Sequence, residues 1–132
     1  MTQEQFLDKI HILLSKYKFK YNNHSDDKDI QINYSLYANN DYPMGSLTIS
    51  GSTNNSLLRF SYSTASLMVY PHGNKSFPVE MIEYKVYKYA EFNYNALDIW
   101  AKHQLDLLNL YNKTWKECLI KSKLNQMNND FE

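Results

Sequence analysis

Ile30-Gln31-Ile32-Asn33-Tyr34-Ser35-Leu36-Tyr37-Ala38 decides the fold class. Ile30, Ile32, Tyr34, Leu36 and Ala38 fall at every second position, and Gln31, Asn33, Ser35 and Tyr37 fall between them. A period of two puts the first set on one side of a strand and the second set on the other. The same alternation returns twice. Leu47 and Ile49 oppose Ser46, Thr48, Ser50 and Ser52, while Leu58, Phe60 and Tyr62 oppose Leu57, Arg59, Ser61 and Ser63. A fourth strand is expected over residues 66–70. The connections Asn39–Pro43, Ser52–Asn55 and Ser63–Ala65 are short and rich in turn-forming residues. Short turns join antiparallel neighbours, so these strands form a meander with one apolar and one polar face.

Working outward, the charge distribution separates this centre from its flanks. The chain has 132 residues, 14 basic and 14 acidic, and its single arginine is Arg59. Residues 1–29 and 79–132 carry many balanced charges, whereas residues 30–78 carry only Asp41, Arg59 and Lys75. Zero net charge argues against a chain that coats nucleic acid and against an acidic DNA mimic. One cysteine excludes an internal disulfide and a Cys-based zinc site. No run of 18 apolar residues is present, so no membrane association is expected. Met1-Thr2-Gln3-Glu4 lacks the basic and apolar pattern of a secretory leader. With the lone Cys118, a cytoplasmic location is expected.

The first flank reads as a helix. Thr2 and Gln5 have the spacing of a capping box, and Phe6, Ile10, Leu13, Leu14 and Tyr17 share one face. Its end is expected near Tyr17 or Lys18. Residues 79–92 fit two periods. Glu80, Glu83, Tyr84, Tyr87, Lys88 and Glu91 recur at helical spacing, while Tyr84-Lys85-Val86-Tyr87-Lys88-Tyr89 has strand propensity. The helical reading is the stronger, with Pro78 near its first turn and an edge strand as the alternative. Asn95 then caps a long helix with Leu97, Ala101, Leu105, Leu108, Tyr111, Trp115 and Leu119 as its apolar stripe. At about 30 residues, or roughly 45 Å, it outruns the ~20 Å of a typical strand. Its far end must project, pack on another helix, or meet a partner.

The expected architecture is a single α+β domain over residues 1–125 with a frayed tail over 126–132. It has an N-terminal helix, a meander of about four antiparallel strands, then a medium and a long helix on one face of the sheet.

No motif announces chemistry. His24, Asp26, Asp27 and Asp29 match no metal-ligand spacing, and a solvated loop is the expectation. His11, His72 and His103 are scattered, with His72 placed beside a turn where sites often form. Cys118 falls on or beside the apolar stripe and reads as a structural thiol. Gly45, Gly51 and Gly73 are too far apart for a phosphate loop. No catalytic residue, cofactor or metal is therefore expected, and a non-enzymatic role is the working assumption.

The polar face of the sheet is the expected binding surface. Lysine and glutamate, which discourage association, are missing there, while tyrosine and arginine, which favour it, are present. Gln31, Asn33, Tyr37, Thr48, Ser50, Arg59 and Ser61 are the partner-binding candidates, with Tyr84 and Tyr87 expected exposed on a helix nearby. Pairing of two copies through the final helix is compatible with its length. The alternative is a nucleic-acid accessory role for the Lys/Tyr-rich stretches 16–21 and 84–89, where rings would stack bases. Near-absence of arginine and the flanking acids weigh against it.

Asn, Lys and Tyr are heavily used while Gly, Pro and Arg are scarce, a bias of AT-rich genomes. In size, this composition and the poverty of motifs, the chain resembles small phage or mobile-element proteins that inhibit host enzymes, anti-CRISPR proteins among them. The resemblance implies a small protein whose partner is another protein.

Overall fold

The computed structural model describes residues 1–39, 41, 43–65 and 79–130. Helix α1 (Gln3–Leu14) starts at the capping box: Thr2 Oγ1 accepts the Gln5 N–H at 3.1 Å, and Gln5 Oε1 accepts the Thr2 N–H at 3.0 Å. Phe6, Ile10 and Leu14, one turn apart, are fully buried. The helix stops at Ser15, earlier than Tyr17, because the Ser15 hydroxyl donates to the Ile12 carbonyl at 2.8 Å and a turn follows. That turn swings Tyr17 to α2 (Tyr94–Asp130), where its hydroxyl donates to Asp98 Oδ1 at 2.6 Å.

Five antiparallel strands follow in sequential order: β1 (Lys20–Asn23), β2 (Asp29–Tyr37), β3 (Pro43–Ser52), β4 (Leu58–Ala65) and β5 (Val79–Val86). The α+β class and the meander are as expected, but the described residues hold five strands and two α-helices where about four strands and three helices were expected. Registers are regular apart from one shift between Ser35 and Tyr37. The strand expected at 66–70 and His72 lie outside the described residues.

The medium helix expected over 79–92 is not there. Residues 79–86 form β5, and Tyr89–Glu91 make a single 3-10 turn. Pairing overrides the helical period: Leu58↔Val86, Phe60↔Tyr84 and Tyr62↔Ile82 align the apolar sides of β4 and β5. The long helix is capped two residues earlier than Asn95 would place it. Asn93 Oδ1 accepts the Ala96 N–H at 3.0 Å, and Asp98 is free to meet Tyr17.

Both helices lie on the apolar face. The main core joins Phe6, Ile10 and Leu14 to Ile30, Ile32, Tyr34, Leu47, Ile49, Leu58, Phe60, Val86, Leu97 and Ala101. Phe6 is its hub, stacked on Tyr89 (centroids 4.6 Å apart) and edge-on to Phe92 at 5.2 Å. A smaller cluster joins Leu36, Ala38 and Met44 to Leu108 and Tyr111.

The buried seam of α2 is Leu97, Ala101, Gln104, Leu108 and Tyr111, so Gln104 takes the place expected for Leu105, which is half-buried. Spacings of four and three along this seam follow one side of a helix more closely than the expected stripe does. The helix is 37 residues, roughly 55 Å. It outruns the sheet, and Leu119, Ile120, Leu124 and Met127 are exposed on its free end. Cys118 is half-buried, not buried. Among the described residues, no helix is long and apolar enough to cross a membrane.

Candidate functional site

Since the helices take the apolar side, no described element covers the other side of the sheet. The registers order that side into rows crossing the strands. One row runs Asn22–Asn33–Thr48–Ser61–Glu83, the next Lys20–Ser35–Ser46–Ser63–Met81, and a third Gln31–Ser50–Arg59–Lys85. Gln31, Asn33, Thr48, Ser50, Arg59 and Ser61 therefore stand together, as their alternation predicts. Asn33 Nδ2 donates to Thr48 Oγ1 at 3.0 Å, and the Ser35 hydroxyl donates to Asn33 Oδ1. These bonds fix the amide in the middle of the face. Tyr37 sits at one corner, exposed, with the Lys20 ammonium 5.7 Å from its ring centroid. Within these rows, charge on the inner strands is limited to Arg59; Lys20 lies on the edge strand β1, and Glu83 and Lys85 on the edge strand β5.

Tyr84 and Tyr87 do not belong to this face. Tyr84 is on β5 and points to the helix side, and Tyr87 follows the end of that strand. Their expected helical position fails with the helix itself. Both instead line a groove of about 700 Å³ between β5 and the first turns of α2, with Tyr62, Ile82, Phe92 and Trp100. The Trp100 indole donates to Thr64 Oγ1 at 3.1 Å, and its ring meets Tyr62 edge-on at 4.9 Å. Burial pushes the Tyr62 hydroxyl above its ordinary pKa. The groove was not legible as a site because its walls come from residues 62 to 100, and no local pattern joins them. Its charged rim, Lys85, Lys88 and Glu91, offers one exposed pair, Lys88–Glu91 at 3.8 Å.

His11, Tyr34 and Asp26 have local partners. His11 Nδ1 lies 3.0 Å from the Tyr34 hydroxyl, and its ring meets Tyr21 edge-on at 4.5 Å. Burial, then the neighbouring Tyr21 and Asp8, raise the Tyr34 pKa. In the loop after β1, Asp26 Oδ1 accepts the N–H groups of Lys28 (2.9 Å) and Asp29 (2.7 Å). Those bonds hold its carboxyl below the usual range and make it a turn former. Among the described residues, no three His, Cys, Asp or Glu side chains gather as metal ligands.

Of the aromatic rings of the Lys/Tyr stretches, Tyr17, Phe19 and Tyr89 are half-buried, while Tyr21, Tyr84 and Tyr87 are exposed. Tyr17 bonds Asp98, Phe19 stacks on Trp100 at 5.7 Å, and Tyr21 packs against Tyr34 at 5.2 Å. Tyr84 meets Tyr62 edge-on at 5.8 Å, and Tyr89 lies on Phe6.

No protein-family model, no curated protein and no solved structure matches the chain.

Proposed function

We propose that this protein acts by binding another protein through the uncovered face of its sheet, without catalysing a reaction. One observation carries the reading: three rows of polar side chains, mostly Ser, Thr and Asn and with Arg59 as their one charge, cross the inner strands on a face that no described element covers. Such a surface has few charges to desolvate, and short Ser, Thr and Asn side chains lose little freedom on contact. Tyr37 and Arg59, both exposed, supply the larger anchors. An inhibitor of a host enzyme, of the phage or mobile-element kind, would work this way by shape and tyrosine contact, without mimicking a polyanion. The nucleic-acid alternative has weaker support: Tyr21, Tyr84 and Tyr87 are exposed, but Tyr17, Phe19 and Tyr89 are engaged in packing, and Glu80, Glu83 and Glu91 flank the second stretch.

The test is capture of the partner from the source cell by the wild-type chain, Thr48→Glu and Leu124→Glu in parallel, with folding checked by circular dichroism. A partner lost with Thr48→Glu and retained with Leu124→Glu supports the reading. Equal capture by wild type and Thr48→Glu overturns it.

A further inference from the structure

Among the described residues, strand β5 is one edge of the sheet, and on its outer side the backbone N–H and C=O groups have no strand partner. Edges of this kind are normally shortened, bulged, interrupted by proline or given charged side chains, the last being the one device that β5 has, in Glu80, Glu83 and Lys85. The other edge fits that rule, since β1 has four residues. By contrast, β5 has eight residues, no proline, and an unbroken register with β4 from Ala65↔Val79 to Leu58↔Val86. Met81, Ile82 and Tyr84 on it are exposed. A long, regular, partly apolar edge asks for another strand.

We propose that the strand is supplied by a second copy of this chain, with β5 pairing antiparallel to β5 about a two-fold axis at Tyr84. Charge decides both the occupant and the register. Pairing centred on Tyr84 sets Glu83 opposite Lys85 of the other copy, twice by symmetry, and Ile82 opposite Val86. Centring on Glu83 would oppose two glutamates, and centring on Lys85 would oppose two lysines. Like charges directly opposite on a sheet are destabilising, and opposite charges there are favourable. Any pairing centred on a residue also matches outward backbone groups with outward backbone groups, as an antiparallel ladder requires.

The charges within one copy point the same way. Arg59 and Lys85 stand directly opposite each other in the β4–β5 ladder. Among the described residues, neither has a carboxylate within 4.0 Å. The incoming Glu83 would sit beside Lys85 and offset that repulsion. Faces match as well: directly opposed residues share a face, so the polar side of one sheet continues into the polar side of the other. Tyr84 and its copy meet on the helix side, at the mouths of the two grooves. Each binding face proposed above would then be doubled, while neither inference depends on the other. The free end of α2 is a poorer site for self-pairing. It carries Lys113, Lys116, Lys121 and Lys123 against Glu117 alone between residues 113 and 123, so two copies would repel there.

Sedimentation equilibrium of the full chain at low salt tests this. Wild type should reach twice the 15.7 kDa of one chain. Glu83→Lys and Lys85→Glu should each weaken association about 10-fold, and the double reversal should restore it. In a Cys118→Ser background, Tyr84→Cys should form a disulfide-linked dimer on oxidation, and Ser61→Cys should not. A mass that stays monomeric up to about 1 mM overturns the proposal. So does a dimer that ignores both charge reversals but is lost in Leu124→Glu, which would place the contact on α2. A dimer whose Tyr84→Cys variant does not cross-link overturns the register.

Discussion

The Gln104 side chain lies directly over the backbone of Gly45: a methyl group on Gly45 would stand 2.8 Å from both Cγ and Cδ of Gln104. Gln104 is almost wholly buried between the two core clusters, so it has little room to swing aside. The glycine is required here by close approach of a helix side chain to a strand. Gly45→Ala should therefore cost about 1–3 kcal/mol by overpacking. Gln104→Ala removes the clashing atoms, so the double variant should lose less than the two single losses added together. Urea unfolding of the four proteins measures the coupling, and additive losses would mean the two residues do not meet.

Gln104 carries a second consequence, because its Nε2 is buried and has no hydrogen-bond partner among the described residues. A donor withdrawn from water without an acceptor costs about 1–3 kcal/mol. Met is close to Gln in length and shape and has no such donor. Gln104→Met should raise the urea midpoint with an unchanged slope. A lower midpoint would show that the amide has an acceptor in solution, such as a buried water.

Where each side chain has one clear destination, the sequence is legible. Ile30, Ile32, Leu47, Ile49, Leu58 and Phe60 alternate with polar residues because a single face is buried, and all six lie in the core. The polar members of the same strands consequently fall on the opposite face. β1 is illegible for the opposite reason: Lys20, Tyr21 and Asn23 are exposed, and the strand exists because β2 offers an edge to pair with. β5 misleads because Ile82 and Val86, one helical turn apart, are also alternate members of a strand side that includes Tyr84. Gln104 could not be foreseen in a seam, since a polar residue there is explained only by the glycine it covers.

The bond from Tyr17 to Asp98 ties the end of α1 to α2 and makes stability depend on alkaline pH. That bond is the main reason the Tyr17 pKa rises from 10 to about 12, with burial and the charges of Asp98 and Asp106 adding to it. A group with a raised folded pKa contributes its full stabilisation below the unfolded value. Here that contribution is intact below pH 10 and is lost as pH climbs toward about 12. Tyr17→Phe should cost about 1 kcal/mol at neutral pH. Between pH 10 and 12 its stability should fall less steeply than that of wild type, as read from thermal melts across that range. Parallel curves would show that the bond does not hold in solution.

Thr48 and Phe6 lie on opposite sides of the same sheet, and substitutions there should separate binding from folding. Phe6 is fully buried and touches Phe60, Tyr89, Phe92 and Tyr94. Phe6→Ala should cost about 3–5 kcal/mol, enough to unfold a marginal domain. Thr48 is half-buried, with one side-chain bond to Asn33 and with Asn33 and Ser61 beside it in the ladder. Thr48→Glu should cost no more than about 1 kcal/mol, since its carboxylate can reach water and no like charge stands opposite. A much larger loss, read as a shifted urea midpoint, would mean that this face is covered in the folded protein. It would then be part of the core and not a surface left open for a partner.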